Sequence, residues 1–97
     1  MLSDTLIVIP SRLRSTRLPN KPLAEIHGYP MIYWVGQRIK NANICDYVVA
    51  TDSSQIEKVC KKYDINVIMT SLHCKNGSER VSEVSKKLNY NYYCNVQ

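Results

Sequence analysis

Glycine is scarce in this chain, three in all, and none of it forms a phosphate-binding loop. Neither G-x-G-x-x-G nor G-x-x-x-x-G-K-[ST] occurs, which excludes the common dinucleotide and P-loop fingerprints. No apolar run approaches the roughly 20 residues of a membrane helix. The opening Met1-Leu2-Ser3-Asp4-Thr5 carries none of the positive charge that begins a signal peptide. A soluble, cytoplasmic chain with no membrane partner is the expectation. The four cysteines, Cys45, Cys60, Cys74 and Cys94, form no C-x-x-C pair, and neither His27 nor His73 completes a zinc pattern. They are expected to be free and mostly buried thiols. His73-Cys74 is a poor nucleophile and base, because sequence neighbours rarely point at one centre. Phe is absent while Tyr numbers seven, a bias for which the sequence gives no reason.

What is present is positive charge, and it is concentrated. Formal net charge is +5 over 97 residues, a length for one small domain. That balance suits nucleotides, nucleic acid or an anionic surface without choosing among them. One loop is more specific: Pro10-Ser-Arg-Leu-Arg-Ser-Thr-Arg-Leu-Pro-Asn-Lys-Pro22 holds Arg12, Arg14, Arg17 and Lys21 and no acidic residue. Cations so close repel one another, so an anionic ligand is the expected reason to keep them together; a merely solvated basic surface is the other reading, and the loop's place directly after a strand favours the ligand. Ser11, Ser15 and Thr16 add hydroxyls suited to phosphate oxygens, and the prolines remove part of the loop's ordering entropy in advance.

The loop follows Asp4 to Ile9, a nearly continuous apolar stretch of the kind buried on both faces of a parallel sheet. Leu23 to Ile26 adds a short extended piece before a turn at His27-Gly28-Tyr29-Pro30. Pro30 suits the first position of a helix whose apolar positions are Ile32, Val35, Ile39 and Ala42. Tyr33 and Trp34 on that helix are expected to pack rather than to bind. Tyr47 to Ala50 is a second strand ending in Thr51-Asp52. Ser54-x-x-Glu57 reads as a capping box ahead of the stripe Ile56, Val59, Cys60 and Tyr63. Asn66 to Met69 is a third strand, Thr70 to Lys75 a polar loop, and Asn76-x-x-Glu79 a second cap, followed by Val81, Val84 and Leu88 facing inward. Tyr92 to Gln97 opens a fourth strand.

Alternating strands and helices predict an α/β fold with parallel strands, and they gather the polar segments after each strand at one sheet edge, where ligands of such sheets bind. Three segments therefore point to one site. Besides the cationic loop there is Thr51-Asp52, where Asp52 alternatively caps the next helix. The third is Asn76-Gly77-Ser78-Glu79-Arg80, at a helix start with free N–H groups and a glycine that admits close approach. Arg80 has two readings there: an ion pair with Glu83, or a guanidinium that reads a base carbonyl.

Ile9-Pro10-Ser11-Arg12, Ser15-Thr16-Arg17-Leu18-Pro19-Asn20-Lys21-Pro22-Leu23, Gly28-Tyr29-Pro30-Met31-Ile32, Val49-Ala50-Thr51-Asp52, Met69-Thr70, Gly77-Ser78-Glu79-Arg80 and Asn95-Val96-Gln97 occur in an order that closely resembles the sugar-acid cytidylyltransferases, across almost the whole chain. The branch that activates the eight-carbon sugar acid KDO is the better match. Sialic-acid enzymes usually carry lysine where Thr16 stands and asparagine where Pro22 stands. The resemblance implies a Rossmann-like three-layer nucleotidyltransferase fold with a mostly parallel sheet. It also implies an enzyme that binds CTP and Mg²⁺, converts KDO to CMP-KDO for lipopolysaccharide synthesis, releases pyrophosphate, and is usually a homodimer.

By matching position, the resemblance assigns Arg12 and Lys21 to the triphosphate as catalytic groups, helped by Pro10, Ser11, Arg17 and main-chain N–H groups. Thr51, Asp52, Gly77, Ser78 and Arg80 would enclose the cytidine, and Gln97 would reach its ribose or base. Residue types agree, because in-line attack on an α-phosphorus needs alignment and neutralised charge on the leaving oxygens. The chain departs from the family at Ser11, usually Ala, at Asn20, usually Gly, and at Ser78, usually Thr; Asn keeps a left-handed turn accessible. Family members continue past Asn-Val-Gln into Gly-Asp-Glu-Pro, whose Asp binds the metal. Residues 1–97 are thus expected to be an incomplete, N-terminal nucleotide-binding part, stopping early in the fourth strand, with no metal ligand of its own and no turnover alone. A small basic nucleic-acid-binding module is the competing reading. It is disfavoured because the cationic loop lacks the aromatics that stack bases.

Overall fold

The structure, a computed structural model, describes residues 2–12 and 21–96. Arg14, Ser15, Thr16, Arg17, Asn20 and Gln97 lie outside the described residues, so the expectations placed on them do too. Lys21 is described by its backbone, which opens the 3-10 turn Lys21–Leu23.

Strand β1, Leu2–Ser11, is the centre of a four-stranded sheet with β4, Cys45–Thr51, on one side and β6, Tyr92–Asn95, on the other. Beyond β4 lies β5, Val67–Met69, giving the order β5-β4-β1-β6 with every pairing parallel. The apolar run of β1 has a direct cause in this position. Ile7 and Ile9 point to one face with Tyr47 and Val49, where they meet Ile32 of α1, Met31–Ala42, and Ile56 and Cys60 of α2, Ser54–Lys62. Leu6 and Val8 point to the other face with Val48 and Ala50, where Val84 of α3, Gly77–Lys87, covers them. Successive strand residues alternate between faces, so a strand covered on both sides must be apolar at every position. The result is helix, sheet, helix: the three-layer α/β arrangement expected.

Several boundaries differ from the sequence-based expectation. Glu25–Ile26 (β2) and Tyr29–Pro30 (β3) form an antiparallel hairpin, turned by His27 and Gly28, both with positive φ (51° and 84°). Pro30 pairs with Glu25 in that hairpin, so it keeps an extended ψ of 154° and stands as the N-cap of α1 instead of its first helical residue. At α2 the cap is Ser53, not Ser54. The Thr51 hydroxyl accepts the Ser53 N–H at 3.1 Å, which turns the chain one residue earlier, and Ser53 Oγ then accepts the Ile56 N–H at 3.3 Å. Asn76 caps α3 as expected, accepting the Glu79 N–H at 2.9 Å.

The tyrosines bind the outer elements to the sheet. Tyr29 stacks on Tyr33 at 4.3 Å between ring centres, and the Trp34 indole donates to the Ile26 carbonyl at 2.8 Å, so both helix aromatics pack against the hairpin. On the far side, the Tyr90 hydroxyl donates to Asp46 at 2.7 Å and the Tyr93 hydroxyl to the Leu88 carbonyl at 2.8 Å. These bonds fix β6 beside β1. The cysteines are free, but only Cys45 and Cys60 are buried; Cys74 is half-buried and Cys94 exposed, fewer covered thiols than expected.

The cap gives a direct check. Ser53→Ala is expected to lower unfolding free energy by about 1 kcal/mol, and Ser54→Ala to change it by less than about half of that, in urea titrations of the two variants. Equal costs would contradict the placement of the helix start.

Candidate nucleotide site

Because the four strands run parallel, their carboxyl ends share one edge, and the register aligns them closely. Ser11 pairs with Thr51, and Thr51 with Met69. Pro10, Ser11, Thr51, Asp52 and the Thr70-Ser71 backbone are therefore neighbours at the top of the sheet. Ser11 and Thr51 are buried, while Arg12 projects into solvent just past the end of β1. Gly77 and Ser78 start α3 beside the same edge, with Ser78 exposed. The structure thus brings Pro10, Ser11, Arg12, Thr51, Asp52, Gly77, Ser78 and Arg80 to one end of the sheet.

Arg80 is the organising group. Its side chain is 1% exposed, yet it comes from the first turn of α3 at the sheet edge. One guanidinium nitrogen donates to the Thr70 hydroxyl at 2.6 Å and to the Ser71 carbonyl at 3.4 Å; the other reaches Asp52 Oδ2 at 3.2 Å. A single buried cation so joins the end of β4, the end of β5 and the start of α3. Its Nε has no hydrogen-bond partner among the described residues, which leaves one buried donor uncommitted. A buried polar group without a partner is uncommon enough to call for one.

Both alternative readings of these residues are corrected. Asp52 does not cap α2, since Ser53 does, and its carboxylate is turned to Arg80. Arg80 does not pair with Glu83: it points inward from α3, and Glu83 pairs with Lys87 at 3.0 Å instead. Glu83 also accepts the Ser71 N–H with both oxygens, at 3.0 and 2.9 Å. Lys87 and then the Ser71 amide hold the Glu83 carboxyl below its ordinary pKa. Thr70, Ser71 and Glu83 act as supports that the polar composition of Thr70 to Lys75 does not reveal. The available signal was a hydroxyl residue directly after a buried strand, within reach of any cation at the next helix start.

The remaining titratable groups near this edge do not form a second reactive centre. Burial pushes the Cys74 thiol up, and its nearest polar partner is the Glu83 carboxylate at 3.7 Å, so no general base or cation here activates Cys74 for catalysis. His73 is exposed. No group of three or more His, Cys, Asp or Glu side chains able to hold a metal ion exists among the described residues. Among the described residues, the carboxylate at the strand ends, Asp52, is already engaged by Arg80.

Two outcomes follow from this wiring. Asp52→Ala leaves the buried guanidinium uncompensated and is expected to cost about 3 kcal/mol or more in chemical denaturation, whereas a paired replacement, Asp52→Ala with Arg80→Met, should recover a large part of that loss. A double variant no more stable than the single one would contradict the pairing. For Glu83, a folded pKa below the unfolded one means stability that is present above the ordinary carboxylate range and lost as pH falls through the folded value. The stability gap between the parent chain and Glu83→Gln should therefore be widest near neutrality and narrow from about pH 5 downward; a pH-independent gap would oppose it.

Residues 6–97 match the cytidylyltransferase family model. The 3-deoxy-manno-octulosonate cytidylyltransferase of Psychrobacter sp. (strain PRwf-1) is 50% identical over 82 residues, 84% of this chain and 30% of that protein. Its counterpart in Tolumonas auensis (strain DSM 9187 / NBRC 110442 / TA 4) is 44% identical over 81 residues, 84% of this chain and 32% of that protein. Among solved structures, a CMP:2-keto-3-deoxy-manno-octonic acid synthetase complexed with CTP superposes with a TM-score of 0.89 at 38% identity, covering 96% of this chain and 39% of the other. The chain spans about a third of the length of the curated relatives it matches. On the match of its residues 6–97, the chain belongs to the cytidylyltransferase family.

Proposed function

We propose that the chain supplies the CTP-binding part of an enzyme that transfers CMP from CTP to KDO, giving CMP-KDO and pyrophosphate. The observation that carries this reading is the convergence of Arg12, Asp52, Thr70 and Arg80 at the carboxyl edge of a parallel sheet. Likeness to relatives named for that reaction, and to a structure of such an enzyme with CTP, supports the choice of nucleotide and sugar acid.

In this reading the triphosphate lies along the cationic loop, held by Arg12, Arg17 and Lys21 with Ser11 and the local main chain. The exposed Arg12 stands at the mouth of the site. The pyrimidine end lies against Thr51-Asp52 and the start of α3 at Gly77-Ser78, two segments whose spacing Arg80 fixes from within. Gln97 contributes to the ribose or base. A hydroxyl oxygen of the sugar acid attacks the α-phosphorus; that O–P bond forms as the bond to the bridging oxygen of pyrophosphate breaks, and the hydroxyl proton is released. Arg12 and Lys21 neutralise the charge that builds on the departing oxygens. Mg²⁺ would accompany the triphosphate and share this neutralisation; the described residues supply no cage for it. The complete enzyme is cytoplasmic and homodimeric in this reading. An 8-amino-KDO or sialic-type sugar acid is the alternative acceptor.

Calorimetric titration of the chain with CTP and Mg²⁺ tests the nucleotide assignment. Arg12→Ala and Lys21→Ala are each expected to weaken CTP binding by about tenfold or more, the loss of a charge-assisted hydrogen bond, with unfolding midpoints unchanged. Unaltered affinity in both variants would remove the clamp. Tight binding of oligonucleotide with a steep salt dependence, and none of CTP, would favour a nucleic-acid module instead.

A further inference from the structure

Glu83 lies one turn beyond Arg80 on α3, outside the nucleotide site itself. Three donors converge on its carboxylate: the Ser71 N–H on both oxygens at 3.0 and 2.9 Å, the Cys74 thiol at 3.7 Å and the Lys87 ammonium at 3.0 Å. Lys87 also donates to the Met69 carbonyl at 3.0 Å. A Glu and Lys four apart on a helix ordinarily form a solvated pair of small consequence. This one grips a particular piece of backbone. The Ser71 residue is held from two sides, its N–H by Glu83 and its carbonyl by Arg80, while the hydroxyl of Thr70, between Met69 and Ser71, accepts from the same guanidinium.

We propose that Glu83, with Lys87 behind it, is a positioning residue for the nucleotide site: it locks the Met69-Thr70-Ser71 backbone so that Arg80 meets Thr70 and Asp52 in a single arrangement. The inference rests on the CTP-binding reading above. The requirement is for a carboxylate, because the Ser71 amide, the Cys74 thiol and the Lys87 ammonium bonded to Glu83 are all donors and only an acceptor-only side chain satisfies all of them. A glutamine of the same shape sets its own NH₂ against one of these donors and releases the backbone it should hold. The arrangement competent to bind the pyrimidine end then becomes a fraction of the population, and affinity falls by that fraction. The triphosphate end, held by a different loop, is untouched.

Cys74 reports on this device without any change to the chain. It is half-buried on a cleft of about 300 Å³ that Ser71 and Glu83 also line, so a small alkylating reagent reaches it at a rate set by how firmly that loop is held.

The test compares the parent chain with Glu83→Gln, using CTP, inorganic tripolyphosphate, and iodoacetamide labelling of Cys74 read by peptide mass. Glu83→Gln should bind CTP about tenfold more weakly and tripolyphosphate equally well, with Cys74 labelled faster. In the parent, saturating CTP should slow Cys74 labelling about threefold or more, and tripolyphosphate should not, since coupling between the two places is reciprocal. Equal CTP affinity in the two chains, or a matching loss for tripolyphosphate, overturns the positioning role. Should Glu83→Gln not fold, the parent alone decides: protection of Cys74 by CTP supports the role and an unchanged labelling rate rejects it. A parent chain that binds no CTP overturns the proposed function, and the positioning role falls with it; a parent that binds CTP while Glu83→Gln binds it equally rejects the positioning role alone.

Discussion

The buried guanidinium of Arg80 is the constraint on which the upper edge of this sheet depends. Removing a cation from water is costly, and the cost is offset only when nearly all of its donors find fixed acceptors. Those acceptors come from two places far apart in sequence, Asp52 after β4 and Thr70 and Ser71 after β5, while Arg80 itself stands on α3. None of these contacts forms unless β4, β5 and α3 are already stacked as the apolar core requires. The core therefore sets the outline, and Arg80 turns three loosely placed loop ends into one surface of defined shape.

The core follows from the pattern of the chain to an unusual extent. Ile7 and Ile9 on one face and Leu6 and Val8 on the other are read from a short apolar run, and the stripes of α2 and α3 supply the opposing surfaces. Periodicity identifies these elements because burial acts on side chains at fixed spacing. Cap positions were less legible. Ser53 and Ser54 are adjacent and chemically identical, and only the Thr51 hydroxyl bond to the Ser53 amide decides between them. The hairpin at Glu25 to Pro30 was legible as a turn but not as a paired structure, since two residues a side are too few to show alternation.

At the sheet edge the placement of the residues was legible in the sequence, and their wiring was not. Arg12, Asp52 and Arg80 stand where strand-end logic puts them, and order along the chain resembling the sugar-acid cytidylyltransferases strengthened each assignment. That Arg80 would be buried, that Asp52 would be its partner, and that Thr70 and Glu83 would support it from behind depended on which side of α3 faces β5. A three-residue strand such as Val67–Met69 carries little information on that point. Local sequence also favours the wrong partner, because Glu83 is three residues from Arg80 and Asp52 is 28 away. Long-range packing decided the outcome.

The chain belongs to the cytidylyltransferase family and spans about a third of the length of its curated relatives. The central claim is that CTP sits across the carboxyl ends of β1 and β4 and the start of α3. Backbone amide shifts of the labelled chain, recorded by NMR during titration with CTP and Mg²⁺, test it most directly. The account predicts that the largest changes cluster at Ser11, Arg12, Asp52, Gly77 and Ser78, with Asp46 and Tyr90 at the opposite end of the sheet unmoved. Changes centred on that opposite end, or none anywhere at millimolar nucleotide, would contradict it.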